Sequence, residues 1–270
     1  MTTQTAIVIP MAGLGQRFVD AGYETIKPLL PIKTVSNKDY PMVVAATMQL
    51  YPSLPAVTPI HFVVRDHTDF DGCEKEIKQF FPQAKFLSLS KLTEGQAITA
   101  LKAVNNCNPE QPVLIGACDN GMLYSEDELK QKMQEFDAIV WTFKGHSSVL
   151  ENPNGYGWVK CNQQGIVEYV SVKKSISDNP LSDHAIVGAF WFKSADLYAQ
   201  ATARLVEQND RINNEFYIDS VLNHVIELGK RVTVLKVERY FCWGTPQQYE
   251  DYQKTASYWQ AFKDDILLNQ

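Results

Sequence analysis

The sequence predicts an α/β protein: a Rossmann-like mixed sheet, mostly parallel and flanked by helices, with a smaller β-rich lobe in its second half. Three observations carry this. In the first half, short apolar runs alternate with amphipathic stretches, the pattern of parallel strands joined by helical crossovers. In the second half, two strand-like runs flank the polar turn Asn162-Gln163-Gln164-Gly165, as in an antiparallel hairpin. Finally, 270 residues that are 45% apolar and 21% charged, with no low-complexity tract, suit one large domain near the upper size for a single core.

The elements follow in order. Residues 6–9, 60–64, 85–87 and 113–116 read as strands, and 41–51, 74–81 and 95–105 as the helices between them. A further strand is expected at 138–143. The hairpin strands are 157–161 and 166–171, and the continuous apolar run 185–192 reads as a buried strand, although periodicity alone leaves a buried helix open. Helices are expected at 195–208 and 216–228, the second stopped by Gly229, then a strand at 231–237 and a last helix at 247–262 after Pro246. The single domain divides into a first half of residues 5–145 and a second of 146–262, with a ligand cleft expected over the carboxyl ends of the parallel strands.

Composition narrows the partners. A net charge of −6 gives no electrostatic footprint for nucleic acid or an anionic membrane, so an anionic ligand must be held locally. The longest apolar stretch is far below the roughly 20 residues that span a bilayer. Met1-Thr2-Thr3-Gln4 lacks the basic and apolar regions of a signal peptide, so a cytoplasmic location is expected. The cysteines at 73, 107, 118, 161 and 242 have no CxxC spacing and read as free thiols. The histidines at 61, 67, 146, 184 and 224 have no metal-ligand spacing.

Directly after the first strand comes Met11-Ala12-Gly13-Leu14-Gly15-Gln16-Arg17-Phe18. Two glycines one residue apart let the backbone approach a phosphate closely. A dinucleotide fingerprint needs a third small residue where Phe18 stands, and the phosphate loop of the NTPases needs a GK[ST] that is missing. Arg17 and Lys27, the latter stiffened by Pro28 and Pro31, sharpen the reading. A guanidinium fork suits a pyrophosphate, and a lysine suits a phosphorus centre gaining charge. A solvated basic loop is the plain alternative.

The run from Ile9 to Phe18, with Lys27-Pro28, resembles the GxGxRF and KP signature of the sugar-phosphate nucleotidylyltransferases, and the similarity extends over residues 5–255. The resemblance implies a GT-A-like nucleotidyltransferase fold, with Mg2+ as cofactor. It also implies transfer of a nucleoside monophosphate from a triphosphate to a phosphorylated small-molecule acceptor, with release of pyrophosphate. Nucleotide-sugar supply, for instance to capsule or lipopolysaccharide, is the setting it implies. Ala12, Gly13 and Gly15 then face the nucleotide, as do Gly95 and Gln96 in Thr93-Glu94-Gly95-Gln96-Ala97. A helix capped by Thr93, with Gln96 three residues on, is the compatible local reading of that stretch. Asp119, in Gly116-Ala117-Cys118-Asp119-Asn120, matches the metal-binding aspartate; a turn cap is its alternative. Lys173 matches the residue that clamps the acceptor phosphate, while Gly157 and Glu215 fall where the family lines the acceptor pocket. For Glu215 the alternative is a carboxylate in a first helical turn.

Two positions depart from the family pattern. Cys242, in Cys242-Trp243-Gly244-Thr245-Pro246, stands where a second metal-binding acid is usual, and thiolate is a poor ligand for magnesium. Val172 precedes Lys173 where glutamate is usual, which removes an acceptor for a sugar hydroxyl. The expected chemistry is attack by an acceptor phosphate on the α-phosphorus, with Arg17 on the leaving pyrophosphate, Lys27 on the α-phosphate, Asp119 on Mg2+ and Lys173 on the acceptor. A GT-A glycosyltransferase and a non-catalytic nucleotide-binding regulatory module are the alternatives. The base, the acceptor and any homo-oligomer are left open.

Overall fold

The computed structural model describes residues 4–34, 38–53, 55–66 and 70–268. In chain order the elements are β1 (Ala6–Pro10), α1 (Gln16–Asp20), β2 (Pro31–Ile32), β3 (Tyr40–Pro41), α2 (Met42–Leu50), β4 (Ile60–Arg65), α3 (Phe70–Lys78), β5 (Lys85–Leu89), α4 (Gln96–Val104), β6 (Val113–Ile115), β7 (Asn120–Leu123), α5 (Glu126–Glu135), β8 (Ala138–Phe143), α6 (Ser148–Glu151), β9 (Gly157–Cys161), β10 (Val167–Val172), β11 (His184–Phe192), α7 (Ala195–Glu207), α8 (Ile218–Glu227), β12 (Val232–Lys236), β13 (Arg239–Cys242) and α9 (Pro246–Leu268).

Nine strands form one sheet that crosses both halves of the chain, in the order β10-β9-β11-β6-β1-β4-β5, with β8 beside β11 and β12 beside β8. The pairings β1/β4, β1/β6, β4/β5 and β8/β12 are parallel. Strand β11 runs antiparallel to β6, β8 and β9, and β10 antiparallel to β9. Only β10 and β11 therefore oppose the common direction, and the sheet is mostly parallel. β1 shows why its run is continuously apolar: Ala6 and Val8 face one core cluster, Ile7 and Ile9 the other, and all four are fully buried. A strand covered on both faces has no polar side to show.

The expected strands and most of the helices form, with three differences of substance. Helix α3 starts earlier than expected and closes at Lys78, its last turn loosening before Pro82, since a residue preceding proline avoids helical geometry. Helix α5 was not anticipated: only Leu129 on it is buried, so it has almost no apolar stripe, yet Ser125 caps it by accepting the Glu128 amide at 3.2 Å. The third is the two-stranded ribbon of β7 and β13, which pairs Asn120 with Cys242 and Gly121 with Phe241. Among the described residues no helix is long and apolar enough to cross a membrane.

Candidate active site

A cleft of about 1730 Å3 lies over the carboxyl ends of β1 and β6, and both halves of the chain line it. Every residue singled out from the sequence as a site residue borders it: Ala12, Gly13, Gly15, Arg17, Lys27, Gly95, Gln96, Asp119, Gly157, Lys173 and Glu215. The cleft is shaped by the loop that leaves β1. A Cβ on Gly13 would meet no atom of the described residues within 4 Å, and Gly13 lines the cleft. Gly15 has a φ of 62°, in the left-handed region, and turns the chain into α1. Phe18, 1% exposed, anchors the loop in a small core with Trp243 and Tyr249, leaving Arg17 exposed at the rim.

Lys27 and Asp119 meet at the centre. The Lys27 ammonium donates to Asp119 Oδ2 at 2.5 Å and to the Gly244 carbonyl at 3.2 Å, and lies 5.3 Å from the centre of the Phe18 ring. The side chains are 14% and 29% exposed. Burial works against the Lys27 charge, but Asp119, with Cys118 and Cys242 nearby, outweighs it and holds the pKa above the usual lysine value. The β7/β13 ribbon creates this meeting, because the Trp243 amide donates to the Asp119 carbonyl at 3.0 Å and sets residues 242–244 beside it.

The helix start at Gly95 differs from the local expectation. Gly95, not Thr93, is the cap residue of α4, with a φ of 128° and no side-chain cap bond. The Thr93 hydroxyl instead donates to the Gly95 carbonyl at 2.9 Å. A Cβ on Gly95 would stand 2.5 Å from backbone atoms of Phe216. The close approach is fixed by amide bonds from Phe216 to the Glu94 carbonyl and from Ala97 to the Phe216 carbonyl. Glycine here serves the joint between the two halves, while Gln96 stays exposed on the cleft wall.

Lys173 stands on the opposite side. Its φ of 57° is uncommon for a residue with a side chain and costs on the order of 1 kcal/mol, held by its amide bond to the Tyr156 carbonyl at 3.0 Å. Its ammonium donates to the Gly155 carbonyl and lies 5.6 Å from the Tyr217 ring centre. Burial lowers its pKa; Asp219 opposes this, and Arg17, within electrostatic reach, adds to it. Val172 is 8% exposed and packs in the core, so this position presents nothing to the cleft.

Asp219 is the residue that sequence reasoning missed. It lies half-buried in the first turn of α8, and a Cβ on Gly157 would run into its carboxylate, so glycine at 157 makes its room. Burial pushes its pKa up to about 6 against the opposing Lys173. Glu215, by contrast, is exposed, and its backbone closes a tight turn with Ile212. The only sequence signal for Asp219 was an acid early in a helix, which reads equally as a dipole partner. Of the histidines, His146 lines the cleft, bonded through Nδ1 to Ser148 at 2.7 Å; His67 lies outside the described residues.

Among the described residues no three of His, Cys, Asp and Glu are grouped to hold a metal. Asp119 fits Mg2+ of the kind that takes one carboxylate and completes its shell with substrate phosphates and water. The Cys242 thiol does not fit that ion: burial raises its pKa, and its proton is engaged with Gln248 Oε1 at 3.1 Å.

No family model matches the chain. It is 26% identical to the bifunctional protein GlmU of Campylobacter concisus over 238 residues, 88% of this chain and 49% of that protein. The chain thus spans about half the length of that curated relative. A nucleoside-diphosphate-sugar pyrophosphorylase from Vibrio cholerae RC9 shares the fold with a TM-score of 0.75 at 22% identity, covering 92% of this chain and 99% of the other. The inositol-1-phosphate CTP transferase from T. maritima superposes with a TM-score of 0.67 at 15% identity, covering 93% and 94%. With Gly13 to Phe18 and Lys27-Pro28 on the cleft wall, the chain shares the fold of these solved structures and is similar in sequence to the GlmU protein over most of its own length.

Proposed function

We propose that the protein transfers a nucleoside monophosphate from a nucleoside triphosphate to a phosphorylated small molecule of the sugar 1-phosphate class, releasing pyrophosphate. The observation that carries this reading is the Lys27–Asp119 pair between the loop at Gly13 to Gly15 and Lys173. It supplies a cation for the α-phosphate and a carboxylate for a metal, with a second lysine across the cleft for an acceptor phosphate. Residues 5–145 take the nucleotide, with Ala12, Gly13, Gly15, Gly95 and Gln96 shaping its pocket. Residues 146–262 take the acceptor through Gly157, Lys173 and Glu215, joined by Asp219, whose carboxylate serves sugar hydroxyls in place of the glutamate lost at 172.

Positioning and charge stabilisation do the chemistry. Arg17 binds the leaving pyrophosphate and Lys27 the α-phosphate as charge builds on its oxygens, with no covalent intermediate on the protein. Asp119 would hold Mg2+, which would offset phosphate charge. Two cations facing the triphosphate and one facing the acceptor also explain how a chain of net charge −6 admits two anions.

The test is pyrophosphate release across a panel of triphosphates and phosphorylated acceptors. Release that requires both substrates, and that drops at least ~100-fold in Asp119→Asn, is expected. Release from a triphosphate without any acceptor, or transfer of sugar from a nucleotide sugar, rejects the reading.

A further inference from the structure

His146 lines the cleft in the acceptor half and takes no part in the proposed chemistry. Its protonation is fixed by hydrogen bonds. The Ser148 amide approaches Nδ1 at 3.3 Å, and an amide can only donate, so Nδ1 carries no proton. The Ser148 hydroxyl, 2.7 Å from the same nitrogen, therefore donates as well, and its oxygen accepts from the Tyr156 hydroxyl at 2.9 Å. The ring is thus neutral, with its one proton on Nε2. Burial acts in the same sense by lowering its pKa, against the charge of Glu151. Phe143 and Tyr240 pack edge to face with the ring, at 5.9 and 5.7 Å between centres, and fix its plane. No residue among those described accepts from Nε2. Tyr156 joins this wall to Lys173, whose amide donates to the Tyr156 carbonyl at 3.0 Å and whose ammonium donates to the neighbouring Gly155 carbonyl.

We propose that His146 is a specificity-determining residue, its Nε2–H donating to an uncharged oxygen, a hydroxyl or a carbonyl, of the acceptor whose phosphate Lys173 clamps. Resting on the proposed transfer reaction, this role narrows the acceptor to a neutral sugar phosphate. A neutral N–H offers a hydrogen bond but no charge to a second anionic group, and Glu151, on the same cleft wall, repels one. A sugar phosphate that also carries a carboxylate is therefore disfavoured. Because the ring is held in one tautomer, it cannot turn a bare nitrogen to an acceptor that lacks the oxygen. Nε2–H then stays unpaired, which is how a polar site rejects a deoxy analogue.

The test uses the full chain with Mg2+ and the four α,β-methylene nucleoside triphosphates, whose bridging carbon blocks transfer, so that acceptor binding is read alone. NMR of the protein isotope-labelled at its histidine nitrogens, with the His146 signal assigned by its loss in His146→Gln, should show Nε2 protonated and Nδ1 bare. Glucose, galactose and mannose 1-phosphates are the probes. Whichever binds should shift the Nε2–H signal, and the uronic acid 1-phosphate of the same configuration should bind at least about tenfold more weakly. A glutamine amide reaches as far from the backbone as Nε2, an asparagine amide only as far as Nδ1. His146→Gln should therefore keep the affinity within about threefold, while His146→Asn loses at least about tenfold. A ring protonated at Nδ1, binding that leaves Nε2 unmoved, equal affinity for the uronic acid, or full affinity in His146→Asn overturns the role of His146 and leaves the transfer reaction standing. A chain that binds none of the sugar phosphates overturns both.

Discussion

At the scale of single residues, Lys27 and Asp219 have roles that can be separated by measurement. Lys27 neutralises Asp119 in the free protein and, in the proposed reaction, meets charge that develops only in the transition state. Lys27→Ala should therefore lower kcat at least ~100-fold, with a smaller change in the KM for triphosphate; a rise in KM at unchanged kcat would reduce Lys27 to a binding residue. Asp219 sets a pH dependence. Because burial lifts its carboxyl to about 6, the folded protein keeps a proton that the unfolded chain has released, and this contribution to stability is lost as pH rises through that value. In the proposed reaction the carboxylate, ionised above about 6, accepts an acceptor hydroxyl, and below that value it is protonated. The kcat/KM for acceptor should fall below pH 6, with the fall carried by KM, and Asp219→Asn should flatten the profile. An unchanged profile in that variant would place the titrating group elsewhere.

At the scale of elements, the site depends on two long-range backbone contacts. The β7/β13 ribbon brings Cys242 and Gly244 to Asp119, and the amide bonds between residues 94–97 and Phe216 tie α4 to the start of α8. Gly95→Ala would drive a methyl into the Phe216 backbone and force alanine into φ 128°. The expected cost is about 2 kcal/mol or more, read as a lower Tm together with weaker binding of both substrates, because α8 carries Asp219. An alanine variant with unaltered melting would show that the joint gives way freely. Neither contact was legible beforehand. β13 is short and only partly buried, and nothing local in 120–123 announces a partner more than a hundred residues away.

At the scale of the whole molecule, one sheet runs beneath both halves of the cleft, so ligands on either side bear on the same folded unit. A triphosphate at a hundred times its Kd should stabilise the protein by about 2.7 kcal/mol, and a thermal-shift screen of the four triphosphates would identify the preferred base. Equal shifts with all four would mean that the cleft reads phosphates alone.

The sequence by itself determined the α/β class, the parallel first half, the hairpin of β9 and β10, and the glycine loop that lines the cleft. Each of these rests on local periodicity, on glycine spacing or on short runs such as Lys27-Pro28, which survive without knowledge of any distant contact. Only the tertiary structure decided that Asp219, rather than Glu215, leans over Gly157, that Gly95 serves a backbone joint, and that the β7/β13 ribbon sets Cys242 and Gly244 beside Asp119. Those facts depend on which atoms meet across long stretches of chain, and one-dimensional spacing does not encode such meetings.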